Sequence, residues 1–140
     1  MPKQWTHKDC FDTYGTIPKN LRWSWSGRSK DGKTVAITLW QDQFEDKGRV
    51  YKSQIFYGNY AGESSPGFNE FKENLEWAIQ NCNGEVRVII AIPKDPEATP
   101  RSIKECFPAE KIRMRITFFD PQTGAFIAER IAPPTDTGKA

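Results

Sequence analysis

Trp23, Trp25 and Trp40 are three of the chain's five tryptophans, and they fall in two neighbouring segments. One is Leu21-Arg22-Trp23-Ser24-Trp25-Ser26, the other Thr34-Val35-Ala36-Ile37-Thr38-Leu39-Trp40-Gln41-Asp42, with the polar turn Lys30-Asp31-Gly32-Lys33 between them. Flat rings beside planar hydrogen-bonding groups are what holding a flat heterocycle requires. Asp42 can accept from an exocyclic amine, and Gln41 can pair with an amide-like edge. Arg22, Arg28 and Lys30 stand close enough in sequence to meet flanking phosphates, and Arg101 after Pro100 is a further phosphate candidate. Stacking on one ring returns about 1–3 kcal/mol, so two rings offset the few kcal/mol of unstacking a base. The same rings also suit a hydrophobic core, because Trp23 and Trp25 share a face with Leu21.

These residues need a sheet to position them. Alternation predicts strands over 21–26, 34–42 and 50–56, with Asp31-Gly32 as the hairpin turn between the first two. In the second strand Val35, Ile37 and Leu39 take the core face, which leaves Trp40 on the other side with Thr38 and Ala36. One helix is predicted over 68–82 from the spacing of Phe68, Phe71, Leu75, Ala78, Ile79 and Cys82, with Gly84 as its stop. Trp77 lies off that stripe and is expected to cover a neighbouring element. The β-branched run Val86–Ile92 reads as a central strand covered on both faces. Shorter strands follow over 102–107, 112–118 and 125–131. The expected fold is α+β: a small curved mixed sheet or half-open barrel with one main helix. Residues 1–20 read as an irregular arm, 21–131 as a single globular domain, and 132–140 as a mobile tail.

Composition narrows the function. The chain has 140 residues, 37% hydrophobic content and a formal net charge of +2, so it is one domain and no polyelectrolyte binder. Basic residues gather in the C-terminal half and acids in the middle, a split that can give one face attractive to phosphate. Three widely spaced cysteines and the single His7 argue against a disulfide framework or a structural zinc site. A cytoplasmic protein without a membrane segment or cofactor is the expectation. No Ser-His-Asp or Cys-His arrangement and no Gly-rich phosphate loop is legible, so catalysis is the weakest expectation.

The Arg22-Trp23-Ser24-Trp25 and Leu39-Trp40-Gln41-Asp42 segments, with the loop Asp95-Pro96-Glu97-Ala98-Thr99-Pro100-Arg101, resemble a bacterial module found fused to HNH endonucleases. The order of elements is further similar to the PUA-like superfamily of EVE, ASCH, YTH and SRA readers. That resemblance implies a compact β-barrel that takes one flipped base of RNA or modified DNA into an aromatic pocket. Nothing resembles the nuclease half, since His7 alone cannot supply its metal site. Taken together, the expectation is a non-catalytic nucleic-acid binding module of a restriction, defence or RNA-processing system. Trp23, Trp25, Trp40, Gln41 and Asp42 would hold the base; Arg22, Arg28, Lys30 and Arg101 would hold phosphates. The partner would be DNA or RNA, with a separate nuclease or other effector chain supplying chemistry. The alternatives are a bacterial or phage protein-interaction domain whose tryptophans are all core, and a small enzyme acting on a nucleotide-like substrate.

Overall fold

A computed structural model describes residues 5–19, 24–45, 49–53, 66–95, 97, 103–120 and 125–131. These form α1 (His7–Thr13), β1 (Thr16–Ile17), β2 (Ser26–Ser29) and β3 (Val35–Trp40). A 3-10 turn (Gln41–Gln43), β4 (Phe44–Glu45), β5 (Val50–Ser53) and α2 (Pro66–Asn81) follow. The chain then builds β6 (Glu85–Pro93), β7 (Ile103–Phe119) and β8 (Phe126–Arg130). The eight strands make one mixed sheet in the order β1-β2-β3-β6-β7-β8-β5-β4. Only β3 and β6 run parallel, which requires the long crossover through β4, β5 and α2.

β4 follows β3 after a single turn yet lies at the far edge of the sheet. The sheet must therefore curl until that edge returns to the end of β3, making an open half-barrel. Its inner side holds Val35, Ile37 and Leu39 of β3, Val86, Val88 and Ile90 of β6, and Met114 and Ile116 of β7. Phe71, Leu75 and Ala78 of α2 pack into the same core. The expected helix and its stop are present: Gly84 adopts φ +77°, which suits glycine at a helix end. Ile79, expected on the apolar stripe, is instead 41% exposed. Trp77 covers the β2–β3 hairpin, donating from Nε1 to the Gly32 carbonyl at 2.8 Å.

Two expectations are corrected. Residues 1–20 are no irregular arm, because α1 occupies their middle. Thr6 caps that helix, its hydroxyl accepting from the Asp9 N–H at 3.0 Å while Asp9 Oδ2 accepts from the Thr6 N–H at 3.1 Å. Cys10 and Phe11 then pack, with no exposed surface, against Ala36, Ile89 and Cys106 on the outer side of the sheet. The separate strands expected over 102–107 and 112–118 are one strand, β7, interrupted where its pairing with β6 jumps from Arg87↔Arg113 to Ile89↔Pro108. Residues 109–112 thus bulge opposite Val88 alone. Pro108 lacks an N–H to continue the ladder, which fits an irregularity there. Among the described residues no helix is long and apolar enough to cross a membrane.

Candidate ligand-binding site

The tryptophan cluster forms, but as packing. Trp25 and Trp40 lie with ring centroids 5.1 Å apart, and His7 approaches Trp25 edge-on at 6.1 Å. His7 also stacks on Phe11 at 4.8 Å, and its Nε2 lies 2.8 Å from Thr38 Oγ1. Burial lowers the His7 pKa from 6.5 to about 4, so the imidazole is neutral at pH 7. Trp40 retains 6% exposure and Trp25 is half-buried. The expected presentation of Trp40 to a visiting ring is therefore corrected: α1 supplies the layer that turns the outer side of β3 into interior. Trp23, Arg22 and Arg101 lie outside the described residues.

Arg28 is half-buried between β2 and α2. Its Nε donates to Asn74 Oδ1 at 3.2 Å, and its guanidinium lies 4.2 Å from the centroid of the Trp77 ring. Asn74 in turn donates to Ser26 Oγ at 2.8 Å. This chain of contacts fastens α2 to β2. Lys30 is exposed on the hairpin turn, two residues beyond Arg28.

Gln41 and Asp42 are exposed on the 3-10 turn after β3. That turn is fixed from within by Tyr51, which is 1% exposed. The Tyr51 hydroxyl accepts from the Trp40 N–H at 3.3 Å and donates to Gln43 Oε1 at 2.8 Å. Tyr51 also meets Phe44 edge-on at 5.0 Å and stacks with Phe126 at 5.8 Å. The core thereby sets both Gln41 and Phe44 at one opening of the half-barrel.

There a hollow of about 460 Å³ is lined by Gln41, Phe44, Ile90, Phe107, Ala109, Ile112 and Arg130. Ile90 and Phe107 are cross-strand partners on β6 and β7, while Ala109 and Ile112 come from the bulge. Phe44, Phe107, Ala109 and Ile112 are half-buried, so part of each faces the hollow, and Arg130 and Gln41 are exposed. Apolar walls with a few polar groups at the margin are the usual composition of a small-ligand pocket, and the size falls within the usual range of about 300–1,000 Å³. Among the described residues expected at the site, Gln41 alone lines it. Phe44, Phe107 and Arg130 were missed; the one sequence signal was Phe107-Pro108, a proline inside a strand pattern that marks a bulge.

A second notch, of about 200 Å³, is lined by residues that include Lys33, Cys82, Glu85, Arg87 and Arg113. Arg113 and Glu85 lie 3.8 Å apart, and Arg87 donates from Nη2 to the Glu110 carbonyl at 2.9 Å. The Arg87 guanidinium also covers the Tyr14 ring at 4.6 Å. Its cations are largely engaged within the fold. Among the described residues no group of three or more His, Cys, Asp or Glu side chains could hold a metal ion. The chain matches no protein-family model, no curated protein and no solved structure.

Proposed function

We propose that the protein is a non-catalytic, cytoplasmic binding module that takes one base of a nucleic-acid strand into the hollow beside the 3-10 turn. The observation that carries this reading is the set of side chains around it: two phenylalanines, an amide and a guanidinium facing one space of about 460 Å³. Phe44 and Phe107 supply apolar faces on which any base stacks, at about 1–3 kcal/mol each. Gln41 offers a donor and an acceptor to a base edge, and Arg130 meets the adjoining phosphate. Together these contacts offset the few kcal/mol needed to unstack a base, provided that the strand is single or its pairing already weakened. The reading moves the aromatic pocket from the tryptophans to the phenylalanines. The same proposal includes the likeness to the HNH-fused module and the PUA-like placement.

The test is a titration of dye-labelled oligonucleotides, single-stranded, duplex and mismatched, with and without modified bases, at two salt concentrations. Binding that prefers unpaired or modified bases, weakens with salt, and is weakened in Phe107→Ala supports the reading. Wild-type protein that ignores every oligonucleotide removes it. The protein-interaction reading is then next, favoured by Phe118, which is 51% exposed on β7.

A further inference from the structure

Two cysteines from distant parts of the chain meet beneath the N-terminal helix. Cys10 on α1 and Cys106 on β7 bring their sulfurs to 3.8 Å, the Cys10 thiol donating to Cys106 Sγ. They are 0% and 6% exposed, packed among Phe11, Ala36 and Ile89. Cys82 lies apart, its thiol turned toward the carbonyls of Gly32 and Lys33.

A buried cysteine alone behaves as a small hydrophobe. Two in contact are different, because closing from 3.8 Å to the bonded separation of about 2.05 Å needs only a small shift. That shift falls on α1, a helix of seven residues. Isolated helices shorter than about 12 residues are marginal, so local opening of α1 with the sheet still folded is the route by which a small oxidant would reach the pair. We infer that Cys10 and Cys106 form an oxidisable dithiol, and that hydroperoxide converts it into a disulfide latching α1 onto β7. This inference is independent of the proposed binding role.

The hydrogen bond from Cys10 draws the Cys106 thiol below the usual thiol range, which makes Cys106 the attacking sulfur. Its thiolate displaces at the O–O bond of the peroxide, forming an S–O bond and releasing water or an alcohol. The Cys10 sulfur then attacks the sulfenic acid at sulfur, forming the S–S bond and expelling a second water. In sum two thiols give up two electrons and two protons, and one hydroperoxide is reduced.

The experiment uses the full chain carrying Cys82→Ser, treated with stoichiometric hydrogen peroxide. The expected product is a monomer lighter by two hydrogen atoms, with a 10–106 cross-link in its peptide map. Its Tm should rise by roughly 10 °C, because the bond closes a loop of most of the chain, and return on adding dithiothreitol. Three results overturn the inference: two thiols still free to a maleimide after unfolding, cross-links only between chains, or a cross-linked monomer whose Tm is unchanged or lower.

Discussion

Replacing Trp40 with alanine separates a ring used as packing from a ring offered to a ligand. Trp40 retains 6% exposure and lies 5.1 Å from Trp25. Truncating a buried tryptophan costs about 3–5 kcal/mol, since the transferred surface is lost and the space it leaves fills only in part. Unfolding entropy of about 2.1 cal/mol/K per residue, taken over the whole chain, converts ~4 kcal/mol into a fall in Tm of roughly 14 °C. The assay is a thermal melt followed by circular dichroism, alongside oligonucleotide titration at a temperature where both proteins are folded. The reasoning is refuted if Tm moves by less than about 3 °C while oligonucleotide affinity collapses. That result would mean that the ring is accessible and stacks on the ligand after all.

Other perturbations act on other parts of the fold. Phe107→Ala should weaken oligonucleotide binding by about 1–3 kcal/mol, and Arg130→Gln should lower the slope of log affinity against log salt by about one. Tyr51→Phe removes the hydroxyl that holds the 3-10 turn; it should destabilise by about 1–3 kcal/mol in urea melts and weaken binding through misplaced Gln41 and Phe44. Gly32→Ala should cost about 1–3 kcal/mol in the same melts, because φ is +73° and the added Cβ would stand 2.9 Å from Trp77 Cζ2. His7 is neutral when folded, with a pKa of about 4 against 6.5 when exposed. The unfolded chain therefore binds more protons between these values, so stability is full above pH 6.5 and falls as pH drops toward 4. The loss is about 2 kcal/mol after solvent screening, and a His7→Gln variant followed by denaturant melts across that range should lack it.

Much of the sheet was legible because its period is strict. Val35, Ile37 and Leu39 alternate onto the inner side as expected, and the β-branched run of β6 is covered by both helices. Trp77 lay off the helical stripe and does cover a neighbour. The burial of Trp40 turned on a different element: the stretch from Thr6 to Tyr14 reads as irregular, so the sequence names no element as the layer covering the outer side of β3. The signal was the spacing of Thr6 and Asp9, a capping box, followed by Cys10, Phe11 and Tyr14 at helical intervals. The hollow was illegible for another reason. Gln41, Phe44, Phe107 and Arg130 come together only when the sheet curls, and no local pattern encodes a curl that brings the β4 edge back to the end of β3.

The excursion of β7 at residues 109–112 gives the protein a part that can vary independently. Strand pairing continues on either side of it with its register shifted, so on the proposed binding role its length and side chains answer to the ligand more than to the ladder. A scaffold whose specificity wall is an insertion can acquire new ligands through changes of a few codons while its framework stays intact. Libraries randomised at Ala109 and Ile112 should yield folded proteins of altered preference far more often than libraries drawn from β3 or β6.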